Sequence, residues 1–205
     1  MPPQPLRSLL PLLDSFDAFI LDQWGVLHDG TRAFPHALDA VERLLAEDKV
    51  IVTLSNSGRR EATNRGQMAA LGLPVDRFRA NVTSGEAAVD ALMRRRIGDR
   101  GLPGDRAYLI CRHGDASVIE GTGIERVAAP DDADFVLLSG IEGETHSLDD
   151  YLDELAPAIT RRLPVVCTNP DLVAVSPEGN LIAPGAVATA YAERTGVAPL
   201  FVGKP

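Results

Sequence analysis

The chain lacks any surplus of positive charge. Its 20 Lys and Arg residues face 29 Asp and Glu, a formal net charge of −9 at pH 7. That balance argues against nucleic acid or an anionic membrane surface as a partner. An anionic ligand would need local cations, backbone N–H groups or a metal to hold it. Long hydrophobic runs are missing too. None reaches the ~18 apolar residues of a membrane span, and Asp14 and Asp17 interrupt the Leu-rich N-terminal stretch where a secretion signal would stay apolar. Cysteine is scarce. Cys111 and Cys167 sit in apolar, strand-like runs and read as buried free thiols of a reducing compartment rather than as a disulfide or metal pair. The expected location is the cytoplasm. Internal repeats and low-complexity tracts are absent, and Gly121-Thr122-Gly123 is too short a glycine motif to indicate a nucleotide site.

What is present suits a globular protein of one large domain or two small ones: 205 residues, 45% hydrophobic and 24% charged. Apolar runs alternate with helical patterns. Ala18–Leu21 and Val50–Leu54 fit buried strands; between them Pro35 opens a helix with Leu38, Val41, Leu44 and Leu45 on one face. A polar helix runs to about Leu71, with Gly72 as its stop. After the extended piece Asn81–Ser84, Thr83-Ser84-Gly85-Glu86 spells a capping box. Asn81-Val82-Thr83 also matches a glycosylation acceptor, idle in a cytoplasmic protein. Residues 94–104 form a loop and the best boundary on composition. Strands follow at Tyr108–Cys111, Phe135–Leu138 and Val165–Cys167, with a helix over Ser147–Arg162. Pro177-Glu178-Gly179 signals a hairpin between Leu172–Ser176 and Asn180–Ala183. A last helix, Ala186–Thr195, stops at Gly196 before a final strand, Leu200–Val202. Strand and helix in alternation predict an α/β fold with a parallel sheet.

Four polar stretches fall at the ends of these strands: Asp22-Gln23-Trp24, Ser55-Asn56-Ser57-Gly58, Asn169-Pro170-Asp171 and Gly203-Lys204-Pro205. A carboxylate just past a buried strand points into the crevice where open α/β sheets bind ligands, and can act as nucleophile, metal ligand or both. Phosphoryl transfer needs a nucleophile, donors for the phosphoryl oxygens and a cation against developing charge. Asp22 answers the first need. The Ser55 hydroxyl and the N–H groups of Asn56 and Ser57, close to a helix start, answer the second, and Lys204 the third. Each has a plain alternative: Asp beside Gly and Ser-Asn-Ser-Gly are common turns, and a Lys at a chain end is usually solvated. Their joint placement after buried strands favours the chemical reading.

The series Asp22-Gln23-Trp24-Gly25-Val26-Leu27, Ser55-Asn56-Ser57, Thr168-Asn169-Pro170-Asp171, Pro184-Gly185, Thr195-Gly196-Val197-Ala198-Pro199 and Gly203-Lys204-Pro205 resembles the haloacid dehalogenase-like hydrolases, in particular their NagD and p-nitrophenylphosphatase subfamily. The resemblance spans essentially the whole chain and is most specific from Thr168 to Pro205. It implies a Rossmann-like core, residues 1–84 and 186–205, with an α/β cap inserted over 85–185. It further implies Mg²⁺, held by Asp22 and the Trp24 carbonyl, with Asp22 attacking phosphorus to give an aspartyl-phosphate that water hydrolyses. Ser55 and Lys204 would hold the phosphoryl oxygens, with Asn56 and Ser57 in support, and Asn169 and Asp171 would lie where the leaving group of a small phosphorylated metabolite is recognised. A homodimer through the cap is implied by the same analogy.

Two departures from the pattern stand out. The family's phosphatases carry an Asp two residues after the nucleophile as general acid and base, and here that position is Trp24. An indole cannot transfer that proton, so a step worth about 10²–10⁴-fold needs another source, with His28 and Asp29 the nearest titratable groups. The fourth motif, which completes the magnesium site, is expected beyond Pro205, so the resemblance implies a longer natural protein. The leading expectation is a magnesium-dependent phosphatase. The alternatives are a phosphometabolite-binding or regulatory protein that lost the acid, and another reaction of the same superfamily.

Overall fold

The computed structural model describes residues 8–176 and 179–204; Pro177 and Glu178 of the expected hairpin turn, Pro205 and the first seven residues lie outside it. Contacts divide the chain into two compact units, one formed by residues up to Leu54 with Arg65–Asn81, the other by Ser55–Asn64 with Val82 onward.

The first unit opens with a single helical turn, α1 (Leu10–Leu13), followed by β1 (Ala18–Leu21), α2 (Pro35–Ala46) and β2 (Val50–Ser55). Helix α3 (Glu61–Ala70) and β3 (Ala80–Thr83) follow, and the sheet runs in the order β1-β2-β3. β1 and β2 are parallel, in register from Ala18↔Val50 to Leu21↔Thr53. Pro35 starts α2, where the missing N–H costs nothing. Val41, Leu44 and Leu45 then share the buried side of α2 and pack with Ile51, Met68, Leu73 and Phe78. Burial of this kind contributes roughly 1.5–3 kcal/mol per large apolar side chain.

In the second unit, α4 (Ser84–Met93) leads into a small hairpin, β4 (Arg96–Ile97) with β5 (Arg100–Gly101), inside the stretch expected to be loop. Strands β6 (Arg106–Ile110), β7 (Glu125–Val127), β8 (Phe135–Leu138) and β9 (Val165–Cys167) follow, interleaved with α5 (Leu148–Glu154) and α6 (Ala156–Arg161). The hairpin β10 (Val173–Ser176) with β11 (Gly179–Ile182), helix α7 (Pro184–Thr195) and β12 (Leu200–Phe201) complete it. The main sheet has the order β12-β9-β8-β6-β7, every pair parallel. Its central strand is buried on both faces, as parallel sheets require. Phe135 and Leu137 pack with Ala88, Val89 and Leu92 of α4; Val136 and Leu138 pack with Leu152, Leu155, Val187 and Tyr191 of the other helices. Tyr191 is fully buried, and its hydroxyl donates to the carbonyls of Ala158 (2.8 Å) and Leu163 (2.9 Å).

Several elements differ from expectation. The helix over Ser147–Arg162 is two helices, because Pro157 cannot continue α5 and the chain steps aside at Leu155 (φ −86°, ψ 3°). The reciprocal capping box forms at Ser147 and Asp150. At Thr83 only half of one forms: the Thr83 hydroxyl accepts from Glu86 N–H (3.1 Å), while the Glu86 carboxylate is drawn to Arg60 and the Glu61 N–H.

Candidate active site

In the first unit the chain leaves β1 at Asp22, whose carboxylate Oδ1 accepts from the Gln23 N–H (2.8 Å). The turn beyond is closed by N–H groups of Val26, Leu27 and His28 on the Gln23 carbonyl, and by Gly25 N–H on the His28 carbonyl (2.8 Å). What fixes this turn was missed in the sequence. Gln23 is 1% exposed, and its amide donates to Asn81 Oδ1 (2.6 Å) and Thr53 Oγ1 (3.1 Å), while Thr53 donates to the same Asn81 oxygen (2.6 Å). A residue of each strand, or of the turn after it, thus enters one buried polar network, which specifies a geometry tightly when satisfied. The only sequence signal was polar residues interrupting three apolar runs. Asn81, taken as an idle acceptor for glycan, is the hub.

Trp24 lies over its own loop. The ring meets His28 edge-on, centroids 5.5 Å apart, and a Cβ on Gly30 (φ +91°) would stand 2.3 Å from the indole. Asp29 cannot serve as an acid. Its carboxylate accepts from the Thr31 hydroxyl (2.7 Å) and from the N–H groups of Thr31 and Arg32 (2.9 Å each), and it pairs with the Arg32 side chain. The Thr31 bonds, foremost, hold it well below the usual carboxylate range, so it stays ionised. His28 is buried, with Nδ1 accepting from the Gly30 N–H (3.1 Å).

The second unit collects the other expected residues. Ser55 ends β2, and its hydroxyl accepts from Ser57 N–H (3.2 Å). Gly58 presses onto the end of β8 so closely that a Cβ would sit 1.7 Å from the Ser139 carbonyl oxygen. Asn56, 5% exposed, is the clasp. Its Oδ1 accepts from the Lys204 N–H (2.7 Å), and its Nδ2 donates to Asp171 Oδ1 (2.9 Å) and more weakly to the Lys204 carbonyl (3.4 Å). Gly203 (φ +143°) permits this approach, since a Cβ there would lie 2.6 Å from Asn56 Oδ1. Asn169 Oδ1 in turn accepts from Asp171 N–H (2.9 Å). The structure therefore brings Asn56, Asn169, Asp171 and Lys204 into one hydrogen-bonded group, with Ser55 and Ser57 on the same loop as Asn56. Asp22 and Trp24 stand in the other unit.

A Rossmann-type α/β fold with an aspartate past its first strand and a Ser-Asn loop clasped to a Gly-Lys defines a class. The chain belongs to the haloacid dehalogenase-like hydrolases, whose family model matches residues 19–125. A solved haloacid dehalogenase-like hydrolase of Brucella suis 1330 superposes with a TM-score of 0.85 at 29% identity, covering 98% of this chain and 71% of that one. A 4-nitrophenylphosphatase of Thermotoga maritima follows with a TM-score of 0.66 at 25% identity, covering 94% and 70%. Among characterised sequences, dihydroxyacetone phosphatase of Corynebacterium glutamicum is 25% identical over 194 residues, 92% of this chain; the chain spans 64% of that protein's length.

Proposed function

We propose that the chain carries the phosphoryl-handling part of a divalent-metal-dependent phosphatase acting on a small phosphorylated metabolite in the cytoplasm. Asp22 is its nucleophile, Ser55 and the Asn56 and Ser57 N–H groups receive phosphoryl oxygens, and Lys204 offsets their charge. In this reading residues 85–185 form a cap over a core made of the rest. The observation that carries the reading is Asn56, because one buried amide ties the loop bearing Ser55 to the backbone of Lys204. Support comes from the phosphatases named among the relatives.

The donors fit a hard cation in part. The Asp22 carboxylate and the Trp24 carbonyl are oxygen ligands of the kind magnesium prefers while keeping several waters. In this reading these two are the chain's contribution; among the described residues no group of three or more His, Cys, Asp or Glu is placed to hold a metal. A glycerol phosphate phosphatase of Mycobacterium tuberculosis with the same fold has been solved with magnesium and with calcium. When bound, the metal supplies positive charge to the phosphoryl oxygens.

Trp24 favours a second reading. With its indole laid over Gly30 and Asp29 held ionised, a protein that binds a phosphometabolite without turnover fits the same loop. Phosphate release from 4-nitrophenyl phosphate, with Mg²⁺ and with chelator, separates the two. Metal-dependent release that falls at least about 10³-fold in Asp22→Asn is expected; equal turnover in that variant removes Asp22 as nucleophile.

A further inference from the structure

In the second unit, β6 has β7 on one side and β8 on the other, so the chain leaves its carboxyl end in one direction and that of β8 in the opposite one. Such a reversal opens a crevice beyond the strand ends where α/β sheets take ligands. Residues 111–115 follow β6 there, and residues 139–144 follow β8. They are packed tightly: a Cβ on Gly140 would lie 2.9 Å from the Arg112 Cβ and N. The Ser55–Arg60 loop is set on the same place, with Gly58 against the Ser139 carbonyl. Arg59 therefore sits beside the crevice, one residue past that contact.

Several charged groups around the crevice are already matched, and exposed Arg126 of β7 stays in water. Arg112 pairs with Glu144 and, at 3.9 Å, with Glu142. Glu142 also accepts from the His113 backbone and faces His113 Nδ1 at 3.1 Å. Asp115 accepts from Ser117 N–H (3.0 Å). Arg59 is half-buried, and among the described residues its guanidinium joins no hydrogen bond or ion pair. Loss of water, with Arg112 close by, lowers its pKa although Asp115 and Glu142 act the other way. A guanidinium that gives up water without a partner is costly unless a ligand completes it. His113 adds strain at the same place, a non-glycine residue at φ +53°.

We propose that Arg59 is a specificity-determining residue that takes a second anionic group of the substrate, apart from the phosphoryl group that is hydrolysed. The preferred substrates are then small phosphorylated acids, carrying a carboxylate or a second phosphate. This rests on the phosphatase reading above. A planar guanidinium matches either anion through paired N–H donors.

The test compares the full natural protein with Arg59→Met and Arg59→Lys on matched pairs. 3-Phosphoglycerate against glycerol 3-phosphate differs by a carboxylate; fructose 1,6-bisphosphate against fructose 6-phosphate differs by a phosphate. In Arg59→Met the preference in kcat/KM for the doubly anionic member of at least one pair should fall about 10- to 100-fold. Lysine should restore part of it, and 4-nitrophenyl phosphate turnover should stay within about threefold. The pair affected tells carboxylate from phosphate. Unchanged preference in both pairs overturns the assignment and leaves the phosphatase reading standing. Should no phosphate ester be hydrolysed, that reading fails instead, and calorimetric titration of 3-phosphoglycerate into both proteins still decides: weaker binding by Arg59→Met supports the role, and equal or absent binding ends it.

Discussion

Removing the Asn56 side chain should unfasten the loop without opening a large cavity. Asn56→Ala deletes the acceptor of the Lys204 N–H at 2.7 Å, the donor to Asp171 at 2.9 Å and a weaker bond at 3.4 Å. A neutral bond of this kind contributes about 1 kcal/mol, and a bond to a carboxylate about 1.5–3. Asp171 is exposed and recovers water when its partner leaves, so its share lies at the low end. The sum is about 2–3 kcal/mol, or roughly 5–10 °C in Tm for a unit of this size. Calorimetric unfolding measures it. Asn56→Asp separates geometry from charge: it keeps an acceptor for Lys204 but sets a second carboxylate against Asp171. It should be less stable than Asn56→Ala at pH 7. Two facing carboxylates raise each other's pKa, so this variant binds more protons folded than unfolded and should regain stability as pH falls toward 4. Adding Asp171→Asn should restore it at neutral pH. If Asn56→Ala and Asn56→Asp both unfold within about 0.5 kcal/mol of the parent, the clasp is not a structural determinant.

Other perturbations read single features. Gly30→Ala places a methyl group 2.3 Å from the Trp24 ring at a positive φ and should cost about 1–3 kcal/mol; Trp24→Ala in the same chain should return the steric part, which a double-mutant cycle detects. The Glu86 carboxylate is held below its ordinary pKa, chiefly by the Arg60 bond. Its contribution is therefore complete above the unfolded value and fades as pH falls through the folded one. Denaturation of Glu86→Gln at pH 7 should show a loss of about 1 kcal/mol, since the pair is partly exposed, and the gap to the parent should narrow as pH falls below the ordinary carboxylate range.

The parallel strands were legible because their apolar runs are short and bounded, as at Val50–Ser55 and Phe135–Leu138. The four loops that carry the candidate residues were legible for the same reason, since polar residues follow each run. β7 escaped notice because Glu125-Arg126-Val127 has no apolar pattern of its own; it is held by pairing with Arg106–Tyr108. The break at Leu155 was hidden inside a run of good helix formers, with Pro157 its one marker. The roles of Asn56 and Glu86 could not be foreseen locally. Asn56 meets Asp171 and Lys204, 115 and 148 residues away, and Glu86 leaves its own cap for an arginine 26 residues earlier. Such choices depend on which distant partner the fold delivers.

That distance sets an order of assembly. The Ser55 loop is made early in synthesis, yet the amide that clasps it has no partner until Gly203 and Lys204 have been added and β12 has docked on β9. Closing a span of 148 residues is entropically slow compared with forming the neighbouring helices. A nascent chain can thus hold β1, β2 and their core while the Ser55 loop is still unlatched. The clasp closes only in a later step, once β12 has been made and has docked.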